Sequence, residues 1–120
     1  MPNEAQSSKP KYDLEERTAK FAANVIVFVK KLPSNPINHP LISQLVRSAG
    51  SIGANYAEAD AAESKKDFKH KIGICKKEAK ETRFWLRLIA EANQEHQGDS
   101  RILWSESHEL LLIFSAILNK

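Results

Sequence analysis

No proline follows Pro40 in these 120 residues, glycine occurs only four times, and cysteine appears once, at Cys75. The five prolines are Pro2, Pro10, Pro33, Pro36 and Pro40, so the remaining two-thirds of the chain lacks the residue most hostile to a helix interior. A single cysteine excludes an intrachain disulfide and fits a reducing compartment. No run approaches the ~18 consecutive apolar residues that read as a membrane span. The longest apolar cluster, Leu110 to Leu118, is interrupted by Ser115. Met1 to Lys11 is polar and holds no apolar stretch of the signal-peptide kind. The expectation is a cytoplasmic protein without membrane association, long enough to bury one core without disulfides or metal.

The residues of catalysis are equally sparse. His39, His70, His96 and His108 do not form the Glu-x-x-His pairs of di-iron bundles. The nearest match, Asp67-x-x-His70, occurs once and uses the wrong acid. Gly50-Ser-Ile-Gly53 lies inside a helical pattern rather than between strand and helix, so it is not a phosphate loop. Cys75 falls on an apolar seam, where a free cysteine behaves as a small hydrophobe. Neither an enzyme nor a bound metal or cofactor is expected.

What is present is helical periodicity. Residues 1–12 are polar, aperiodic and read as a flexible tail, and residues 13–120 read as one domain. Asp13 is placed to cap a first helix reaching about Lys31, with Leu14, Phe21, Val25, Phe28 and Leu32 on its apolar face. Three prolines between Leu32 and Pro40 forbid a helix interior there. A second helix starts at Pro40 or Leu41 and ends near Ala62, with Leu41, Leu45, Ile52, Tyr56 and Ala59 as its seam. Ser64 caps a third helix that runs to about Ala92. Its seam of Phe68, Ile72, Cys75, Ala79, Thr82, Leu86 and Ile89 keeps a 4,3 spacing over three heptads. Asn93 to Gly98 reads as a turn, with Asp99 or Ser100 capping a fourth helix that carries Leu103, Ser107, Leu110, Phe114 and Ile117. Four amphipathic helices with short connections predict an all-α, antiparallel up-down-up-down four-helix bundle.

Two stripes do not fit a plain core. On the second helix, Gln44, Ser48, Ser51, Asn55 and Glu58 stack beside the seam. On the third, Ile74, Glu78, Glu81, Trp85 and Leu88 form a second stripe, with two glutamates set among apolar residues. Arg47 and Asn55 are positioned to reach those glutamates. A buried polar group without a partner costs on the order of 1–3 kcal/mol. The ladder is therefore a network between helices, a ligand site lined by Asn55, Glu58 and Glu78, or a contact between subunits. Gly50, Gly53, Ala54, Ala57 and Ala61 lie away from the seam. Glycine inside a helix costs roughly 1 kcal/mol against alanine, so two of them suggest a close helix approach. The apolar area around Trp85 exceeds what one core needs, which points to self-association.

The net charge is only +3, but its distribution is uneven. Between Ser64 and Ala92 stand nine Lys/Arg against four Asp/Glu. Lys65, Lys69, Lys76, Lys80, Arg83 and Arg87 fall within an arc of about 60° on the helical wheel and extend roughly 30 Å along the axis. Such a stripe is either a solvated face or a ridge for phosphates. No aromatic interleaves on this stripe, so binding through the backbone, without base stacking, is the expectation.

Several stretches together resemble a known family. They are Gln44-Leu-Val-Arg-Ser-x-x-Ser-Ile-x-Ala-Asn-Tyr-x-Glu-Ala, Ser64-Lys-Lys-Asp-Phe68, Ile72-Gly-Ile, and Lys77-Glu-Ala-x-Glu-Thr-Arg-x-Trp-Leu86. The resemblance is to the "four helix bundle protein" family, also called the S23 ribosomal protein family, first noticed in intervening sequences of bacterial large-subunit ribosomal RNA genes. It spans roughly residues 12 to 118, and Cys75 and Lys76 stand where such sequences are often small or aliphatic. More distantly, the chain is similar to the accessory variability determinant of diversity-generating retroelements. The resemblance implies a non-enzymatic bundle assembling into a homopentamer. It carries the family pattern onto Arg47, Ser51, Asn55, Glu58, Asp67, Phe68, Glu78, Glu81 and Trp85. The leading expectation is a homo-oligomer binding RNA or DNA through Lys65, Lys69, Lys76, Lys80, Arg83 and Arg87. The alternative is a protein-interaction scaffold using the polar stripes of helices two and three.

Overall fold

Asp13 caps the first helix as its position predicts: its carboxylate accepts the Glu16 amide at 3.2 Å. The computed structural model describes residues 13–120, and the tail expected over residues 1–12 lies outside them. Helix α1 spans Leu14–Val29, α2 Asn38–Asp60, α3 Lys65–Ala92 and α4 Gln97–Leu118, with one turn of 3-10 helix at Gln94–His96 before α4. No strand occurs among the described residues. Consecutive helices pack side by side, and α1 also touches α4, closing an all-α four-helix bundle.

The seams are where the spacing places them. Leu14, Phe21, Val25 and Phe28 are buried on α1, with Leu32 buried just beyond its end; Leu45, Ile52 and Ala59 are buried on α2. Ile72, Cys75, Ala79, Thr82, Leu86 and Ile89 are all buried on α3. Leu103, Ser107, Leu110 and Phe114 face them from α4, while Leu41, Tyr56, Phe68 and Ile117 pack at the margin, partly buried. The small polar residues in these seams satisfy themselves on backbone carbonyls. Ser107 donates to Ala79 O and Ser100 to Leu86 O, each at 2.8 Å. Thr82 Oγ1 lies 2.8 Å from Glu78 O and 2.9 Å from Ser48 Oγ, which joins α3 to α2. Hydroxyls bonded this way let helices approach more closely than leucine would allow, without an orphaned polar group.

Two helix starts differ from expectation. Helix α2 begins at Asn38, not at Pro40 or Leu41, because Asn35 does the capping. Its side-chain oxygen accepts the amides of Ile37 at 3.0 Å and Asn38 at 2.8 Å. Pro40 is tolerated in the first turn, where helix amides lack intrahelical partners anyway. Helix α4 begins at Gln97, so neither Asp99 nor Ser100 is its cap. The 3-10 turn tightens the entry by three residues. Asp99 instead pairs with Lys31 at 3.2 Å, and Ser100 turns inward to Leu86. Ser64 caps α3 as expected, accepting the Asp67 amide at 3.0 Å.

The two glycines of α2 part company. A Cβ on Gly53 would come within 3.0 Å of Thr18 Oγ1 and 3.3 Å of Thr18 Cβ, so here α1 and α2 do approach closely. A Cβ on Gly50 meets nothing within 4 Å, and no close approach within this chain explains it. An arginine bridge ties the first and last helices: Arg17 Nε and Nη2 donate to the two Glu106 carboxylate oxygens at 2.7 and 2.9 Å.

Candidate nucleic-acid interface

Helix α3 presents its basic residues along one outer face. Lys65, Lys69, Lys76, Lys80 and Arg87 are exposed and form no ion pair with any described residue. Some other cations are paired, Arg17 with Glu106, Lys31 with Asp99, Arg47 with Glu78 and Glu81, and Lys71 with Glu58, whereas Lys66 and Lys77 on α3 are exposed and unpaired like the ridge. Exposed ammonium groups without carboxylate partners are hydrated, mobile and available to an anion. Spaced over roughly 30 Å, they match the scale of several nucleotides of backbone.

Arg83 is different from the rest of the stripe. It is half-buried, with its guanidinium 5.1 Å from the Trp104 ring centre and Nη1 2.8 Å from His108 Nδ1. His108 in turn stacks on Trp104 at 5.3 Å and 15°. The Arg83 Nε is buried without a partner among the described residues. Arg83 therefore locks α3 to α4 and sets local positive potential, whereas its exposed neighbours are open to ligands.

The structure corrects the expectation of a stripe without aromatics. Trp104 from α4 and the exposed Phe84 from α3 join Lys80, Arg83 and Arg87 around a cleft of about 250 Å³. A larger cleft of about 510 Å³ continues along α3 and α4, lined by Arg87, Glu91, Gln97, Ser100, Arg101 and Trp104 among others. Arg87 and Trp104 border both. A helical wheel of α3 cannot show Trp104 or Arg101, because they belong to α4. The only signal for them was a tryptophan beside the Leu103 seam position.

The polar ladder resolves into hydrogen bonds inside the bundle. Arg47 reaches across from α2 to Glu78 at 3.4 Å and to Glu81, and Trp85 Nε1 donates to the same Glu81 carboxylate at 2.9 Å. Glu81 is thus held below the usual carboxylate range, first by the Trp85 N–H and then, against the cost of burial, by Arg47. Burial disfavours the Arg47 cation, but the hydrogen bond to Glu81 and the charges of both glutamates outweigh it and raise its pKa. Glu78 is buried with this single arginine as its side-chain contact. Asn55 does not join them: its amide donates to Ser51 O at 2.9 Å, four residues back on its own helix. The antiparallel register explains this: Ser48 meets Thr82, Ile52 meets Cys75 and Glu58 meets Lys71, so Asn55 is level with the stretch between Lys71 and Cys75, not with Glu78. Ser51 takes part through its carbonyl, and Glu58 pairs with Lys71 at 2.6 Å on the surface. The three residues Asn55, Glu58 and Glu78 are therefore not brought together around one cavity.

Cys75 is fully buried, and desolvation pushes its thiol up to about 12, so it stays protonated and unreactive in the folded chain. Among the described residues, no cluster of three or more histidine, cysteine or acidic side chains is placed to hold a metal ion. No helix among them is long and apolar enough to cross a membrane.

Comparison with known proteins agrees with this architecture. No functionally curated protein matches the sequence. A crystal structure of a protein of unknown function from the S23 ribosomal protein family of Bacteroides thetaiotaomicron superposes with a TM-score of 0.77 at 29% identity. The match covers 88% of this chain and 98% of that one. The family model for the 23S rRNA-intervening sequence protein matches residues 11–116, which takes in all four helices apart from the last two residues of α4. On that match, and on the bundle beneath it, the chain belongs to the 23S rRNA-intervening sequence protein family.

Proposed function

We propose that this chain is a non-enzymatic, homo-oligomeric bundle that binds the backbone of RNA or DNA through the α3 ridge. The observation that carries this reading is the row of exposed, unpaired cations at Lys65, Lys69, Lys76, Lys80 and Arg87. Cations that neutralise phosphates release condensed counterions, so a ridge of this kind gains affinity without reading sequence. The family description, with its reference to 23S rRNA, is in keeping with a nucleic-acid ligand. A cytoplasmic location accords with that ligand.

Self-association rests on the apolar residues left outside. Val27 is 57% and Ile102 69% exposed, and both line a shallow groove between α1 and α4 over Phe28 and Leu103. Isolated exposed apolar residues are common, but two bulky ones meeting over core side chains suit a second copy. The pentamer is the assembly implied by the family resemblance. Five copies of one ridge would make a multivalent surface from a modest charge per chain. The scaffold alternative has less support, since Arg47, Glu78, Glu81 and Trp85 spend their polar groups on each other.

A gel-shift titration tests the reading. Binding of RNA or DNA at about 50 mM salt should disappear when Lys65, Lys69, Lys76, Lys80 and Arg87 are all changed to glutamine. Arg83 is left intact in that variant because it holds α3 to α4. Undiminished binding by the variant would contradict it.

A further inference from the structure

The clefts beside the ridge have a chemistry that phosphate binding alone does not need. Arg83 and His108 both pack against Trp104, at 5.1 and 5.3 Å from its ring, and are 2.8 Å from each other. Those three distances place them on the same side of the indole. The remainder of the ring borders the two clefts, of about 250 and 510 Å³. Phe84 stands at the rim of the smaller one, 51% exposed although it is a large apolar side chain. It packs edge-to-face with Trp85 at 5.1 Å and 68°. The walls are cationic: Lys80, Arg83 and Arg87 on α3 and Arg101 on α4. Aromatic faces set among unpaired cations suit a planar ring joined to an anion, and the larger cleft falls within the range of about 300–1,000 Å³ usual for ligand sites.

We propose that these two adjoining clefts take unpaired bases of a single-stranded nucleic acid, stacked on Trp104, which borders both, and on Phe84 at the smaller, with the flanking phosphates on Lys80, Arg87 and Arg101. The inference rests on the backbone-binding reading of the α3 ridge and adds the state of the strand that the ridge carries. A duplex keeps its bases stacked inward and offers nothing to Trp104, while a single strand can turn a base into the cleft. Stacking is tolerant of sequence because every base has a π face, so the preference is for an unpaired strand rather than for particular bases. Glu91 and Gln97 at the far wall supply an acceptor and an amide for a base edge.

Fluorescence anisotropy with a labelled single strand and its abasic counterpart tests this. Both ligands carry the same phosphates, so their difference reads the bases alone. The abasic strand should bind at least about 5- to 140-fold more weakly, the range that loss of a single base stack implies. Phe84→Ala and Trp104→Leu should each narrow that gap, whereas Trp104→Phe, which keeps an aromatic face, should retain most of it. Phe84 is exposed, so its alanine variant leaves the core untouched even if a Trp104 variant loosens α4. Equal affinity for the two strands, with binding still lost in the glutamine variant of the ridge, overturns the base cleft and leaves the backbone reading standing. Absence of binding by either strand at about 50 mM salt overturns both.

Discussion

Asn38 and Asn93, fifty-five residues apart, exchange two hydrogen bonds between their side-chain amides: Asn38 Nδ2 donates to Asn93 Oδ1 at 2.9 Å, and Asn93 Nδ2 returns one to Asn38 Oδ1 at 2.8 Å. Both are buried. Their second amide hydrogens go to Pro33 O at 2.8 Å and Ile89 O at 3.0 Å. The pair thus pins the start of α2, the proline-rich connector and the end of α3 to one another, with every side-chain polar atom used. Replacing one partner strands the other in a buried site, so Asn38→Ala or Asn93→Ala should cost roughly 1–3 kcal/mol of unfolding free energy. In a double-mutant cycle by urea denaturation, the two losses should fall short of additive, because the second substitution removes a group already orphaned.

The Arg47–Glu81–Trp85 cluster should make stability depend on acid. The folded carboxyl of Glu81 is held below its ordinary value of 4.5, chiefly by the Trp85 N–H. A depressed folded pKa means the unfolded chain binds the proton more readily. The contribution is therefore fully present at neutral pH, begins to fall as pH drops below about 5, and is lost once pH passes below the folded value. Glu81→Gln should lower the unfolding free energy at neutral pH modestly, by about 0.5–1 kcal/mol given the partial exposure of both ions, read from urea denaturation. It should also flatten the loss of stability below about pH 5 relative to the native protein.

Two glycines on one helix offer an internal comparison. Gly50→Ala adds a methyl into open space and should stabilise the chain by up to about 1 kcal/mol through helix propensity alone. Gly53→Ala gains the same propensity but pushes on Thr18, whose hydroxyl donates to Leu14 O at 2.7 Å and is not free to swing away. Its thermal midpoint should fall below that of Gly50→Ala, and Gly53→Val should destabilise outright. Equal midpoints for the two alanine variants would remove the close approach from the account.

Local periodicity made the bundle legible. The 4,3 seams of α1, α3 and α4 predicted buried residues nearly one for one, and Asp13 and Ser64 capped where side-chain chemistry required. What escaped depends on distant parts of the chain. Asn38 and Asn93 sit among connector residues that are usually solvated, and nothing near either of them names the other. Asn35 took the capping role because a backbone turn brought its oxygen to two amides, which the prolines around it concealed. The reach of Arg47 to Glu78 and Glu81 was legible from helix spacing, whereas the same spacing wrongly included Asn55, which the antiparallel register sets opposite the stretch between Lys71 and Cys75. The cleft beside the ridge was invisible for a related reason: its aromatic face comes from Trp104 on one helix and its cations mostly from another.

The salt dependence of binding is the most direct measure of the ridge. A single-stranded RNA titrated between about 50 and 200 mM salt should give a linear fall of log K against log salt, with a slope of roughly −0.7 for each phosphate neutralised. Changing Lys69 and Lys76 together to glutamine, at two exposed sites away from the aromatic cleft, should reduce that slope by about 1.4 for each pair in contact with the strand. A flat salt profile, or a slope unmoved by the double substitution, would contradict the assignment of the α3 ridge as the nucleic-acid surface.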